Sequence, residues 1–344
     1  DLDMYNELIP SLTLGCGSYG RNSISHNVSA TDLLNIKTIA KRRNNTQIFK
    51  VPAQIYFEEN AIMSLTTMDK IEKVMIVCDP GMVEFGYTKT VENVLRQRTE
   101  QPQIKIFSEV EPNPSTNTVY KGLEMMVDFQ PDTIIAFGGG SAMDAAKAMW
   151  MFFEHPETSF FGAKQKFLDI GKRTYKIGMP ENATFICIPT TSGTGSEVTP
   201  FAVITDSETN VKYPLADFAL TPDVAIIDPQ FVMSVPKSVT ADTGMDVLTH
   251  AMESYVSVMA SDYTRGLSLQ AIKLTFEYLK SSVEKGDKVS REKMHNASTL
   301  AGMAFANAFL GIAHSIAHKI GGEYGIPHGR ANAILLPHII RYNA

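Results

Sequence analysis

Short apolar runs alternate with helical segments between residues 73 and 150, and this alternation constrains the fold more than any other feature of the chain. The runs with strand composition are Lys73–Cys78, Gln103–Phe107 and residues 133–137. Helical patterns at residues 91–98 and 118–129 separate them. A chain that alternates in this way builds parallel strands with crossover helices, so we predict an α/β domain over residues 51–220.

The third run leads directly into a loop of three glycines. Gly138-Gly139-Gly140-Ser141 is followed by a predicted helix over residues 142–150. Glycines let the backbone come close to a phosphate, and a helix N-terminus offers free N–H groups and a positive dipole end. The loop therefore indicates a pyrophosphate site, as in a Rossmann-like dinucleotide-binding sheet; the alternative is a tight turn without a ligand.

A second polar loop, residues 189–197, follows a predicted strand at residues 183–188. Its sequence is Pro189-Thr190-Thr191-Ser192-Gly193-Thr194-Gly195-Ser196-Glu197. It is not a Walker A loop, because no lysine follows its second glycine. Its hydroxyl and N–H groups suit a polar ligand, and the alternative is a Ser/Thr-rich surface loop.

Strand patterns stop after Pro236, and the rest of the chain has helical periodicity. The predicted helices are residues 240–259, 262–280, 290–309 and 311–324. We therefore predict an all-α domain over residues 221–344, preceded by the α/β domain and by a linker segment over residues 1–50. The chain starts without Met and ends without a helix cap, so we expect a piece of a longer protein whose helical domain is cut short.

The helical half carries one acidic residue and several histidines at helical spacing. Asp246 and His250 are four residues apart, as are His314 and His318, and each pair shares one helix face in an apolar setting. Buried charges need a partner, and a divalent cation is one such partner. Asp246, His250, His314 and His328 offer oxygen and nitrogen donors without thiolate, which suits Fe(II) or Zn(II). The alternative is a set of ordinary buried histidines.

Composition excludes several classes of function. The net charge is -6, which argues against a broad nucleic-acid surface. The three cysteines have no CxxC spacing, no signal peptide pattern is present, and no apolar run reaches membrane-spanning length. We therefore expect a cytoplasmic protein that binds neither nucleic acid nor membrane.

Taken together, these motifs resemble the iron-containing (group III) alcohol dehydrogenases over residues 50–344. The resemblance rests on the glycine loop with Asp144, on the polar loop 189–197, and on the pairing of Asp246 and His250 with His314, His318 and Pro327-His328-Gly329. Within that family, the stretches 198–203 and 212–217 are most similar to the C-terminal half of bifunctional aldehyde-alcohol dehydrogenases, and 11–18 and 34–37 resemble the stretch that joins their two halves.

The resemblance implies a role for each motif. It makes Asp246, His250, His314 and His328 the metal ligands, and His318 a nearby catalytic histidine that is not a ligand. It also implies a nucleotide site formed by Asp79, Asn113, Gly139, Gly140, Ser141, Asp144, Thr190, Thr194, Thr199, Val203 and Lys212. A carboxylate at Asp79 would accept from the adenosine ribose and repel a 2′-phosphate, which favours NAD over NADP.

The implied reaction is reversible, NADH-dependent reduction of a short aldehyde such as acetaldehyde to a primary alcohol such as ethanol. Hydride comes from the cofactor, and Fe(II), or Zn(II), acts as a Lewis acid. Alternatives are a zinc-dependent polyol (glycerol-type) dehydrogenase on the same fold, a metallohydrolase, and a mainly structural subunit. The implied partners are a second copy in a homodimer, a fused aldehyde dehydrogenase half, and neighbouring copies in helical filaments.

Overall fold

The computed structural model of the chain describes residues 48–163 and 177–344. Its central feature is a six-stranded sheet whose strand pairs are all parallel, which confirms the predicted α/β class. The strands lie in the order β1 (Gln54–Phe57), β8 (Val224–Ile227), β5 (Thr184–Pro189), β4 (Thr133–Gly138), β2 (Lys73–Cys78) and β3 (Gln103–Phe107). Two further strands, β6 (Phe201–Thr205) and β7 (Lys212–Ala216), form an antiparallel pair.

The central strands are buried on both faces, which explains why they read as continuous apolar runs. In β4, Ile134 and Ala136 pack into the core on one face, and Ile135 and Phe137 pack into the core on the other. Each buried Ile or Phe stabilises the fold by about 1.5–3 kcal/mol relative to an exposed one. This burial fixes the position of β4 and of the loop that follows it. The helices of this part are α1 (Pro80–Glu84), α2 (Tyr87–Leu95), α3 (Thr116–Phe129), α4 (Gly140–Glu154) and α5 (Phe160–Ala163).

The strand order creates a crevice between β2 and β4 at the carboxyl edge of the sheet. From β2 the chain crosses to β3 on one side, and it then returns to β4 on the other side of β2. The connections that leave these two strands diverge, and a crevice at such a reversal is the usual ligand site of open parallel sheets. Asp79 follows β2, and Gly139 and Gly140 follow β4, so all three lie at this crevice.

The C-terminal part is helical and consists of α6 (Lys237–Val256), α7 (Asp262–Glu284), α8 (Lys288–Ala308), α9 (Ile312–Tyr324) and α10 (His328–Asn343). Its core includes Val247 of α6, Ala271 of α7 and Ala297 of α8. Side-chain caps define the helix starts: Ser261 forms a capping box at α7, and Asp287 accepts from the backbone of α8. Within the described ranges, no single helix has the length and apolar composition of a membrane span. Helices α8 and α9, which meet at a sharp bend, reach that length and composition only when they are counted together.

Two features of the fold differ from the sequence-based expectation. Strand β8 belongs to the sheet although it follows residue 220, the expected end of the α/β domain. We propose that the α/β domain extends through β8 and that the helical domain begins with α6. Helix α10 was not predicted, because Pro337 lies inside it and masks its helical pattern. The predicted linker falls almost entirely outside the described residues.

Candidate metal centre and nucleotide cleft

The carboxylate of Asp79 lies against the glycine loop that follows β4. A Cβ atom at Gly138 would be 3.1 Å from Asp79 Oδ2, and one at Gly81 would be 2.9 Å from Asp79 Oδ1. Gly138 also has a φ of 151°, a conformation that residues with side chains rarely adopt. Glycine at these positions therefore leaves the crevice open between the carboxylate that follows β2 and the loop after β4.

The N-terminus of α4 faces the same crevice, with polar groups around it. A Cβ atom at Gly140, the first residue of α4, would lie 2.8 Å from Thr194 Cγ2, so the polar loop packs directly on the helix start. The Ser141 hydroxyl accepts from the Asn113 backbone N–H at 3.2 Å, and Lys212 Nζ donates to Asn113 Oδ1 at 2.7 Å. Helix dipole and lysine together make this end of the crevice attractive to an anion.

Lys147 of α4 is fully buried and holds the polar loop after β5 in place. Its Nζ atom donates to the backbone oxygens of Ser196 at 2.6 Å, Thr199 at 2.7 Å and Phe201 at 2.9 Å. These three acceptors match the three protons of an ammonium group. One turn earlier on α4, Asp144 accepts from Ser196 Oγ at 2.9 Å. Lys147 was not predicted as a site residue; its signal in the sequence is a single lysine within an apolar helix.

One cavity of about 400 Å³ connects this loop region with the histidines. Among the predicted site residues, those lining it are Asn113, Gly140, Ser141, Asp144, Thr194, Thr199, Val203, Lys212, Asp246, His250, His314, His318 and His328. The other three predicted residues, Asp79, Gly139 and Thr190, lie in the glycine loop or beside it. Asp79 lies beside Gly138, a Cβ atom at Gly139 would be 3.5 Å from Thr191, and the Thr190 N–H donates to Gly138 O at 2.9 Å.

Asp246, His250 and His314 place three possible ligand atoms within 4.8 Å of one another, and all three residues are buried. Helix α6 supplies the first two, and the first turn of α9 supplies His314. His250 Nδ1 lies 3.9 Å from Asp246 Oδ2, and His314 Nε2 lies 3.6 Å from Asp246 Oδ1. His328, at the start of α10, adds Nε2 at 3.6 Å from Asp246 Oδ1, with its side chain 36% exposed. Three helices thus converge on one carboxylate, and the group opens to the cavity beside His328.

The chemistry of this group fits a divalent metal. Among the described residues, His250 Nδ1 is buried without a hydrogen-bond partner. Burial lowers the pKa of His250 to about 3, so its ring is neutral. Burial would raise the pKa of Asp246, but the histidines hold it well below its usual range, so Asp246 is ionised. A neutral imidazole and an ionised carboxylate are the states that bind metals.

His314 shows where a metal would compete with a proton. Burial lowers the pKa of His314, but its contacts with Asp246 and Glu253 outweigh this and raise it above the ordinary value. Metal ligands must be deprotonated, so a cation at Asp246 would displace this proton. Metal binding by this group should therefore release a proton.

Asn332 of α10 is fully buried among the same side chains. Its Nδ2 atom donates to Asp246 Oδ1 at 2.7 Å, and it lies 3.0 Å from His314 Nε2 and 3.2 Å from His328 Nε2. The amide nitrogen therefore lies among candidate ligand atoms from three helices. Asn332 was not predicted, although it lies four residues after His328 and so on the same helix face.

His318 lies on the cavity side of the group, one turn after His314. Its ring centroid is 4.7 Å from that of His328 and 6.5 Å from that of His314. Burial, together with the neighbouring His328 and His314, lowers the pKa of His318 to about 4. On the opposite side, Phe305 stacks on His250 with ring centroids 4.4 Å apart. The cavity thus has an imidazole wall and an aromatic wall at the candidate metal site.

Fold and site together define a class: a parallel α/β nucleotide-binding fold joined to a helical part, with a candidate metal site in the shared cavity. The comparisons with known proteins agree. The family model "Iron-containing alcohol dehydrogenase" matches residues 52–229, and the model of the family's C-terminal part matches residues 240–344. The chain belongs to the iron-containing alcohol dehydrogenase family, which implies a metal and a nicotinamide dinucleotide as its ligands.

Individual relatives agree with this assignment. The aldehyde-alcohol dehydrogenase of Streptococcus pneumoniae is 61% identical over 342 residues, covering 99% of this chain but 39% of the relative. The NADPH-dependent butanol dehydrogenase of Clostridium saccharobutylicum is 48% identical, covering 86% of this chain and 74% of the relative. The crystal structure of a 1,3-propanediol oxidoreductase matches with a TM-score of 0.79 and 37% identity, covering 87% of this chain and 76% of that one. The chain therefore spans well under half of the aldehyde-alcohol dehydrogenase it resembles.

Proposed function

We propose that this chain catalyses NADH-dependent, reversible reduction of a short-chain aldehyde, acetaldehyde, to a primary alcohol, ethanol, with Fe(II) as its metal. One observation carries the proposal: the glycine loop at the start of α4 and the Asp/His group line the same cavity. A cofactor phosphate at the loop and a metal at the histidines would therefore share one space. The names of the two relatives, an aldehyde-alcohol dehydrogenase and a butanol dehydrogenase, support this choice of substrate class.

In this proposal Asp246, His250, His314 and His328 hold the metal. When bound, the metal supplies Lewis-acid polarisation of the substrate oxygen. The donor set of one carboxylate and three imidazoles suits either Fe(II) or Zn(II), and the family name favours iron.

The cofactor would be held at the carboxyl edge of the sheet. Gly139, Gly140 and Ser141 would accept the pyrophosphate at the start of α4, where N–H groups and the helix dipole favour an anion. Lys212 also lines the cavity, and it donates to Asn113 beside Ser141, so it adds positive charge there. Asp79, after β2, would accept from the adenosine ribose and exclude a 2′-phosphate. One relative is named as NADPH-dependent, so both cofactors occur among relatives of this chain. The proposed preference for NADH rests on the carboxylate of Asp79.

The protein's own side chains would handle the proton and exclude water. His318 lines the cavity next to His328, and we assign it delivery of the proton to the substrate oxygen. Phe201 lies with its ring 6.1 Å from that of Phe305 and 6.1 Å from that of Phe309. These three rings form an apolar wall that suits the short alkyl group of the substrate and keeps the site dry.

An anaerobic assay tests the proposal. Metal-free protein is loaded with Fe(II) or Zn(II), and oxidation of NADH is followed with acetaldehyde and, in parallel, with dihydroxyacetone. We expect NADH oxidation with acetaldehyde and Fe(II), and none with the His250→Ala variant. Preference for dihydroxyacetone with Zn(II) would instead identify the zinc-dependent polyol dehydrogenase, and inactivity with every pair would reject a dehydrogenase function for this chain.

The remaining sequence-based expectations stay predictions. We propose that the chain forms a homodimer and that the full-length protein carries a fused aldehyde dehydrogenase half. Relatives with this organisation support the fusion, because the chain covers 39% of the Streptococcus pneumoniae protein. Filament formation and a cytoplasmic location likewise stay predictions.

A further inference from the structure

Glu253 is a buried carboxylate that faces His314 across the contact between α6 and α9. Its Oε2 atom lies 2.6 Å from His314 Nδ1, and both side chains are 4% exposed. Its Oε1 atom accepts from the backbone N–H of Ala313 at 2.7 Å, and Oε2 accepts from that of His314 at 3.4 Å. Glu253 lies seven residues after Asp246, so both carboxylates project from one face of α6. Glu253 was not predicted as a site residue from the sequence.

These contacts determine which ring nitrogen of His314 carries a proton. The backbone N–H groups of Ala313 and His314 already donate to the carboxylate, so it acts as the acceptor for the ring as well. His314 Nδ1 must therefore be the donor, so Nε2 is the ring nitrogen that can bind a metal once any proton on it has left. Nε2 faces the rest of the group, 3.6 Å from Asp246 Oδ1. A hydrogen bond of this kind fixes the ring orientation of a metal-binding histidine and raises its basicity.

The same carboxylate also fixes the helix that carries the ring. The first N–H groups of a helix have no partner within the helix, and Glu253 satisfies two of them at the start of α9. The backbone approaches it closely, because a Cβ atom at Gly311 would lie 2.8 Å from Glu253 Oε1. Ring and helix start thus depend on one group, and Gly311 provides the space for it.

We propose that Glu253 is a positioning residue that holds His314 in its metal-binding tautomer and orientation, without touching the metal itself. This role rests on the metal site of the proposed function. A carboxylate that only capped α9 would stabilise the fold without changing metal affinity. Metal affinity, measured separately from stability, therefore distinguishes the two roles.

The first test compares Glu253→Gln with the unchanged chain. Glutamine keeps the shape but replaces one acceptor oxygen with an N–H donor, which would face the N–H groups of His314 and Ala313. Binding of Co(II) is measured by chelator competition and visible absorption, and stability is measured by urea unfolding of the metal-free protein. We expect affinity to fall by about 10–100-fold, with an altered Co(II) spectrum. Asp287→Ala is the control: Asp287 caps α8 outside the cavity, so this variant should lower stability without changing Co(II) affinity.

A second pair of variants approaches the same carboxylate from the backbone. Gly311→Ala places a methyl group against Glu253 and should push it away from His314, so Co(II) affinity should fall. Gly322→Ala lies in the same helix, where a Cβ atom would have no neighbour within 4 Å, and should leave affinity unchanged. This pair keeps the test decisive should Glu253→Gln fail to fold.

The possible outcomes are distinct. Weaker Co(II) binding in Glu253→Gln or Gly311→Ala, with unchanged binding in the two controls, supports the positioning role. Co(II) binding as tight as in the unchanged chain, with only lower stability, overturns it and leaves Glu253 as a helix cap. Absence of Co(II) binding by the unchanged chain rejects the metal site itself, and the positioning role falls with it.

Discussion

The side-chain amide of Asn332 donates to Asp246 Oδ1 over 2.7 Å, and this bond joins α10 to α6 at the centre of the histidine group. Asp246 is buried and ionised, so it needs a donor or a cation beside it. The amide is one such donor. Because His328 lies on the same helix as Asn332, the bond also keeps His328 near the other histidines.

The first prediction concerns this bond. Asn332→Ala leaves the buried carboxylate without its donor, so the free energy of unfolding of the metal-free protein should fall by about 1–3 kcal/mol. With Zn(II) bound the loss should be smaller, because the cation then balances the carboxylate. Urea unfolding with and without Zn(II) measures both values.

Asn307→Ala is the matched control for this prediction. The Asn307 amide pairs with both backbone groups of Lys50, away from the histidines. Its loss should lower stability equally with and without Zn(II). An equal loss in both conditions for Asn332→Ala would mean that its amide is not linked to the metal site.

Much of the fold is predictable because its strands and helices have clear local signals. β2, β3, β4 and β5 are buried runs ended by turn residues, and α6 to α9 follow apolar periodicity. β1 and β7 were not predicted: β1 is short and mostly exposed, and Pro214 interrupts β7. Helix α10 was missed because Pro337 breaks its pattern. Strands and helices without a strong local signal are decided by tertiary packing.

The candidate site likewise combines residues with a local sequence signal and residues that only tertiary packing brings together. The glycine loop and the Asp/His spacings are local patterns, and together with the family resemblance they named most of the residues that line the cavity, though not Phe201, Phe305 or Phe309. Lys147, Glu253 and Asn332 could not be named from the sequence, because their partners are distant in the chain. Lys147, for example, binds backbone oxygens about fifty residues later, and Glu253 binds His314 sixty-one residues later. A supporting contact of this kind becomes visible only once helices are packed.

The second prediction concerns cofactor choice. Asp79→Gly removes the carboxylate beside Gly138, so it should raise the use of NADPH relative to NADH by removing charge repulsion. The ratio of kcat/KM for the two cofactors measures this. Asp69→Gly, an exposed change before β2 at the opposite end of the strand, should not alter the ratio. Equal affinity of the unchanged chain for NADPH and NADH would show that Asp79 does not select the cofactor.

The third prediction concerns His318. His318→Gln should retain the metal, since the proposed ligands are other residues, but turnover should fall by about 10²–10⁴-fold with a changed pH profile. His328→Gln is the contrasting variant and should lose metal. Loss of metal from His318→Gln would place His318 among the ligands. Full activity across pH would make it a structural histidine.

The fourth prediction concerns the pH dependence of stability. Burial lowers the pKa of His295 from 6.5 to about 4, and Ser192 Oγ lies 3.0 Å from its Nδ1. Below pH 6.5 the unfolded chain takes up a proton that the folded chain resists, so stability should fall as pH drops from 6.5 to about 4. At about 1.4 kcal/mol per pH unit, the total loss is about 3 kcal/mol.

The variant His295→Gln isolates this contribution. Its free energy of unfolding should vary less between pH 6.5 and about 4 than that of the unchanged chain. His338→Gln, an exposed change on α10, should retain the full dependence. The same slope in His295→Gln and the unchanged chain would assign the acid sensitivity to other groups.

The central claim is that Asp246, His250, His314 and His328 hold one divalent metal, and metal content per chain tests it most directly. Purified protein is loaded anaerobically with Fe(II), freed of excess metal, and measured by elemental analysis together with His250→Ala, His314→Ala and the exposed control His338→Ala. We expect one metal per chain in the unchanged protein and in the control, and loss of most metal from the two ligand variants. Full metal content in either ligand variant, or no metal in the unchanged protein, would contradict it.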